Sequence, residues 1–263
     1  MENAATDGSE LLRIETTGPV LSVGLNRPAK RNALNDGIIV AIGERFTNIP
    51  DGIGAIVIHG VGDHFSSGLD LSELTEHDAT EGLRHSQMWH RVFDRIQYSR
   101  VPVIAALKGA VIGVGLELAC AAHIRVAEPS AYFALPEGQR GIFVGGGGSV
   151  RLPRLIGVSR MTDMMLTGRV YSATEGASYG FAQYLVEQGG AYSKAMELAA
   201  KVANNAPLTN FAVLQALPMI AEANPQAGLL MESLMATVAQ SDKEAKRRIR
   251  AFLDRKTAKV KPT

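Results

Sequence analysis

Two almost unbroken apolar runs, Ile53–His59 and Val101–Leu107, constrain the fold of this chain more than any other feature. A strand with one wet face alternates apolar and polar residues, whereas a strand covered on both faces need not. Between the runs, Glu81–Tyr98 carries apolar residues at helical spacing through Met88, Val92, Phe93 and Ile96. Strand, helix and strand of this kind predict an α/β sheet with helices packed on it. Leu11–Asn26 extends the pattern as strand, turn and strand, broken at Thr17-Gly18-Pro19. Asn35–Phe46 has helical spacing, with Asn35 or Asp36 as cap. Gly60–Asp70 reads as a loop, Gly109–Gly115 as a turn, Leu116–Ala122 as a buried helix and His123–Ala127 as a short strand. A glycine loop over Ile142–Gly148 precedes a helix that begins at Ser149. From Ala191 the pattern is nearly all helical, interrupted at Pro207, Pro218 and Pro225, and Ser241-Asp242-Lys243-Glu244 predicts a capping box. The expected organisation is a flexible leader over 1–10, an α/β core over 11–195 and a helical C-terminal subdomain over 196–263.

Composition narrows the function classes. With 46% apolar and 20% charged residues, a chain of 263 residues can build a sizeable core. Its 27 basic and 26 acidic residues leave a net charge of +1, so no excess charge points to nucleic acid or to an anionic membrane. The one cysteine, Cys120, cannot form an internal disulfide, which permits a reducing compartment; a cytoplasmic location is expected. No apolar run reaches membrane-spanning length, and Met1–Glu10 lacks the pattern of a signal peptide. The six histidines show no metal-ligand spacing, and no metal is expected.

Two carboxylates stand in apolar, glycine-bearing surroundings. Glu117 lies in Gly113-Val114-Gly115-Leu116-Glu117-Leu118-Ala119 and Glu137 in Leu135-Pro136-Glu137-Gly138. Ionisable side chains in such settings are either paired or functional, and two of them suggest acid/base work on one substrate. Gly113-Val114-Gly115 is only half of a dinucleotide fingerprint. Gly145–Gly148 resembles an anion cradle without the lysine of a nucleotide P-loop. Cys120 and His123 read as structural residues, and Met88, Trp89 and Phe93 as core first and as lining of an acyl channel second.

Five segments in order carry a resemblance: Leu25-Asn26-Arg27-Pro28-Ala29-Lys30-Arg31-Asn32-Ala33-Leu34, Phe65-Ser66-Ser67-Gly68-Leu69-Asp70-Leu71, the two glutamate segments, and Leu166-Thr167-Gly168-Arg169. Together with Ala251–Lys256 they resemble the crotonase (enoyl-CoA hydratase/isomerase) superfamily over about Val20–Lys256. The resemblance implies a spiral core of βαβ-like turns, a helical C-terminal part used in oligomerisation, and a homotrimer or homohexamer. It implies an acyl-CoA thioester as substrate and no cofactor, coenzyme A being part of that substrate. The backbone N–H groups of Leu69 and Val114 are expected to form an oxyanion hole, and Glu117 and Glu137 to act as the acid/base pair. Lys30, Arg31, Ala33, Ser66, Ser67, Gly68, Asp70 and Leu71 are the expected CoA- and acyl-binding positions; Arg255 and Lys256 read first as a plain basic helix end and second as contacts to the CoA phosphates of a neighbouring subunit. Glutamates at both positions favour a hydratase over an isomerase, which commonly keeps only the one at position 137. The alternatives are an isomerase or hydratase-lyase of the same superfamily, or a non-catalytic CoA- or RNA-binding subunit. The sequence departs from the family at Val114, where most relatives have glycine, and at His123, where aspartate is frequent.

Overall fold

The computed structural model describes residues 11–73 and 78–254; the expected leader over 1–10 and the pair Arg255 and Lys256 lie outside them. By internal packing the chain divides into two units, Met1–Ala203 and Asn204–Thr263.

The first unit is built on a six-stranded sheet. Strands β1 (Leu12–Thr17) and β2 (Val20–Leu25) form an antiparallel hairpin, and helix α1 (Asp36–Thr47) follows. Strand β3 (Ala55–Gly60), helix α2 (Ala79–Gln97) and strand β4 (Val103–Leu107) come next, and β2, β3 and β4 pair in parallel. Strand β5 (Ala110–Ile112), helix α3 (Val114–Ala121), strand β6 (Ile124–Ala127) and strand β7 (Tyr132–Ala134) complete the centre. Helices α4 (Gly148–Ile156) and α5 (Val158–Thr167), strand β8 (Tyr171–Ser172), helix α6 (Ala173–Tyr179), strand β9 (Tyr184–Leu185) and helix α7 (Ala191–Ala203) follow. The large sheet has the order β1-β2-β3-β4-β6-β9, and β5, β7 and β8 form a second sheet. The expected core boundary after residue 195 falls inside α7.

The apolar runs have their cause in this arrangement. Ile56 and Ile58 of β3 join a core cluster with Val103 and Ala105 of β4, while Ala55 and Val57 join Ile104 and Ala106 in another cluster under Ala195, Leu198 and Ala199 of α7. Alternate residues of one strand face opposite layers, so both faces of β3 and β4 are dry. Asn35 caps α1, its side chain accepting from the Ile38 N–H at 3.1 Å. Asp78 caps α2 and exchanges reciprocal bonds with Glu81, so this helix begins two residues before the sequence pattern shows it.

The expected turn over Gly109–Gly115 holds more structure than its glycines suggest. Ala110–Ile112 is a strand of the small sheet, paired with β7, and α3 begins at Val114 instead of Leu116. Gly113 makes the switch: at φ +54° it reverses the chain, and its carbonyl then accepts from the N–H groups of Leu116 (2.8 Å) and Glu117 (3.0 Å).

The second unit is helical. It holds α8 (Pro207–Phe211), a π-helical segment over Ala212–Ala216, α9 (Leu217–Glu222), α10 (Pro225–Ser241) and α11 (Lys243–Leu253). Pro207 and Pro225 open their helices, where a missing N–H costs nothing. The capping box expected at Ser241 does not form. Asp242 is the cap instead, accepting from the N–H groups of Glu244 and Ala245, while the Glu244 carboxylate is engaged by Arg247 and Arg248.

Candidate active site

The C-terminal ends of the parallel strands open into the loops that carry most of the expected site residues. Two isolated parallel bridges tie these loops down. Leu34 bridges Leu69, and Ser66 bridges Val111. In the first, the Leu34 N–H donates to Gly68 and the Asp70 N–H donates to Leu34, both at 2.8 Å. The backbone groups of Leu69 itself therefore face away from Leu34. Its N–H meets no acceptor among the described residues. The Val114 N–H, at the first position of α3, is also without an acceptor there, as first-turn amides are unless something caps them. Both residues line one cavity of about 420 Å³.

Glu117 and Glu137 line the same cavity. Glu117 is 2% exposed, on the first turn of α3. Its Oε2 accepts from the N–H groups of Gly146 (2.8 Å) and Gly148 (2.6 Å). The glycine run that looked in sequence like an anion cradle is one, and the anion is the protein's own carboxylate. Glycine is required for the approach: a Cβ on Gly148 would stand 2.7 Å from Glu117 Cγ. Burial pushes the Glu117 carboxyl up to about 7; the neighbouring Glu137 charge adds to the rise, and the two amides oppose it.

Glu137 is 8% exposed and sits just before a 3₁₀ turn at Gly138–Arg140. Its Oε2 is buried without a hydrogen-bond partner among the described residues. Burial raises its carboxyl as well. A Cβ on Gly113 would come 2.6 Å from Glu137 Oε1, so the residue that turns the chain into α3 also makes room for this side chain.

Of the residues weighed in sequence as core or acyl-channel lining, Trp89 borders the cavity, while Met88 and Phe93 are not among its lining residues. Gly82, His85, Ser86 and Trp89 come from α2, and Ile142, Phe143, Val144, Gly145 and Gly146 from the loop before α4. Trp89 is both buried and part of this wall, with its Nε1 donating to Asp36 at 2.9 Å. Helical spacing marks Trp89 as inward-facing but cannot separate a core from a cavity lined by core residues.

Of the expected CoA- and acyl-binding residues, none contributes to this cavity wall. Lys30 Nζ contacts Asp70 and Ser72, at 2.8 and 3.0 Å, and Arg27 reaches the same Asp70 oxygen at 2.8 Å. Those cations, Lys30 foremost, hold the Asp70 carboxyl far below its ordinary range. Ala33 accepts from Arg27 through its carbonyl, and exposed Arg31 accepts from the Ser67 N–H. Ser66 is buried, its hydroxyl accepting from the Gly68 N–H at 3.2 Å. Gly68, at φ +97°, lies 3.0 Å from the Ile112 carbonyl oxygen at its Cβ position, and Leu71 is exposed. The bonds of Gly68 and Asp70 to Leu34 hold the chain on either side of Leu69.

His123 is fixed structurally. Its Nδ1 accepts from the Val103 N–H, so Nε2 carries the proton toward the Gln97 carbonyl, both at 2.9 Å. Cys120 is buried and its thiol is pushed up to about 11 by that burial. Among the described residues no group of three or more His, Cys, Asp or Glu could hold a metal ion, and no helix is long and apolar enough to cross a membrane.

The sequence model of the enoyl-CoA hydratase/isomerase family matches residues 15–262. The chain belongs to that family. The 2,3-dehydroadipyl-CoA hydratase of Escherichia coli (strain K12) is 35% identical over 246 residues, covering 92% of this chain and 95% of the relative. The short-chain-enoyl-CoA hydratase of Clostridium acetobutylicum is 30% identical over 246 residues, with coverages of 92% and 94%. A Rhodopseudomonas palustris CGA009 protein, assigned as an enoyl-CoA hydratase, has a crystal structure with 79% identity and a TM-score of 0.93, covering 97% of this chain and 98% of that one. The architecture is accordingly that of the crotonase fold, with a helical C-terminal region. Within this enoyl-CoA hydratase/isomerase family member, Leu69 and Val114, whose amides meet no acceptor among the described residues, and the two buried carboxyls all border a single cavity.

Proposed function

We propose that the protein is a 2-enoyl-CoA hydratase, a hydro-lyase that adds water across the C2–C3 double bond of an acyl-CoA thioester. The observation that carries this reading is the pair of buried carboxyls on one cavity, one gripped by two amides and the other with an oxygen that has no partner among the described residues. A buried acceptor without a partner is costly, and a bound water or reacting group would relieve it. Both carboxyls are shifted upward, which suits a pair holding one proton between them near neutrality. The ionised member takes a proton from water as its oxygen bonds to C3. The π electrons move toward C2 and the thioester oxygen, where the Leu69 and Val114 amides meet the developing charge. The protonated member then delivers its proton to C2. The products are the 3-hydroxyacyl thioester and a pair whose proton has changed places.

Relatives carrying the names of dehydroadipyl-CoA and short-chain enoyl-CoA hydratases support hydration as the reaction. Exposed Leu229, Leu230, Leu234 and Val238 on α10 support a homo-oligomer, trimer or hexamer, in which these side chains are covered.

The test is to assay crotonyl-CoA, a 3-enoyl-CoA and a hydroxycinnamoyl-CoA side by side with the wild type, Glu117→Gln and Glu137→Gln. Hydration of crotonyl-CoA, with kcat lowered about a hundredfold or more in each variant, is the expected result. Turnover of the 3-enoyl thioester alone would identify an isomerase, and turnover of the aromatic thioester with C–C cleavage a hydratase-lyase. Variant rates close to wild type would remove the pair from the mechanism.

A further inference from the structure

We propose that Arg151, braced by Asp94 and Gln97 of α2, is a positioning residue for the Glu117 carboxylate, an inference that rests on reading Glu117 as half of the acid/base pair. Arg151 lies on α4 and is buried. Its guanidinium makes three directed contacts: Nη1 to the Gly146 carbonyl at 3.0 Å, Nε to Gln97 Oε1 at 2.6 Å and Nη2 to Asp94 Oδ1 at 2.6 Å. A planar fork bound at three edges is rigid, which a lysine could not reproduce.

The grip falls on the segment that holds the carboxylate. Gly146 receives Arg151 at its carbonyl and gives its N–H to Glu117. One residue earlier, the Gly145 carbonyl accepts from Ser86 Oγ at 2.7 Å. Both anchors trace to α2, the helix that also carries Gly82, His85 and Trp89 into the cavity wall. Four successive glycines have no side chains to pack and lose the most backbone entropy on ordering. Their shape must therefore be imposed from outside. The carbonyls are held to α2 while two of the amides are left pointing at Glu117. Gly147, at φ +92°, lies so close to Nη1 that a Cβ there would collide with it. Removing the guanidinium frees the segment and loosens the two amides that favour the ionised carboxylate.

The experiment compares wild type with Arg151→Met, Arg151→Lys and Asp94→Asn. The Glu117 carboxyl is titrated by carbon-13 NMR on protein labelled at the glutamate side-chain carboxyl carbon, with Glu117→Gln for assignment. Thermal midpoints, kcat and KM for crotonyl-CoA are measured on the same samples. Arg151→Met is expected to raise the Glu117 midpoint by about one pH unit and to lower kcat about tenfold or more while KM stays within about threefold. Arg151→Lys, able to reach only some of the partners, should recover part of both, and Asp94→Asn should fall between it and wild type. An unmoved Glu117 titration in the folded variants would overturn the proposal, as would a loss of activity that only tracks the thermal midpoint. Should Arg151→Met fail to fold, the Lys and Asn variants carry the same readouts. Because the titration does not depend on turnover, absence of hydratase activity in the wild type would sink the functional reading and leave this result standing.

Discussion

Gly148 donates its backbone N–H to the Glu117 carboxylate across 2.6 Å, so the opening amide of α4 closes on a side chain from the opening turn of α3. Each helix presents its positive end to the same negative group. The bond needs an absent side chain at residue 148 as much as it needs the amide, since a Cβ there would press on Glu117 Cγ at 2.7 Å and Oε2 at 2.9 Å.

Gly148→Ala should therefore behave against its helix propensity. In an open helix the change stabilises by about 1 kcal/mol. Here the added methyl displaces Glu117, and both the thermal midpoint and kcat should fall, kcat by about tenfold or more. A rise in the midpoint at unchanged kcat would show that the site tolerates the carbon.

The titration of Glu117 leaves a mark on stability. Its carboxyl moves from an ordinary 4.5 to about 7 in the fold. A raised midpoint means the folded state holds the proton more tightly, so the contribution is full below 4.5 and is lost as pH rises through 7. The difference amounts to at most about 3 kcal/mol. Glu117→Gln should accordingly raise the thermal midpoint more at about pH 8 than at about pH 5, as measured by calorimetry across that range. An equal effect at both pH values would mean that the carboxylate carries no burial penalty.

Val114 offers a test of the oxyanion donor that a side-chain change cannot. It occupies the first position of α3, where proline's fixed φ is accepted. Val114→Pro deletes the N–H, and kcat/KM should fall about a hundredfold to a thousandfold. Val114→Ala keeps the amide and serves as the control for the lost side chain. A proline variant as active as the alanine variant would remove this amide from the reaction.

Asp70 joins Arg27 and Lys30 into the frame behind Leu69. Asp70→Asn should weaken that frame and lower the thermal midpoint, by about 1 kcal/mol or somewhat more, since the Lys30 side chain is half exposed and its charge is screened by water while Arg27 is mostly covered. The loss should shrink at low pH only below the usual carboxylate range, because the Lys30 contact holds the Asp70 carboxyl down. A loss already gone at about pH 4 would contradict that hold.

Much of this is legible in the sequence. The dry strands β3 and β4 showed themselves as unbroken apolar runs because both of their faces are covered, by one cluster through Ile56 and Ile58 and by another through Ala55 and Val57. Glu117 and Glu137 stood out because a charged group in apolar company is rare. The strand β5 was hidden: three residues between two glycines are too few for a period, and its pairing with β7 is a tertiary fact. The partners of Arg151 were equally hidden, since Asp94 and Gln97 lie more than fifty residues away and contact it only once α2 is in place. The glycine run was legible as an anion holder, but nothing local names its anion as Glu117.

Of the glycines bordering the cavity, Gly82 has no atom of the described residues within 4 Å of its Cβ position, and Gly145 meets only Ser86 Oγ, at 3.8 Å. Gly146, by contrast, is hemmed in by Phe93, Val114 and Glu117. Redesign of substrate scope thus has an asymmetric starting point. A side chain can be added at Gly82 on the α2 side, whereas position 146 on the opposite rim is fixed by the acid it embraces.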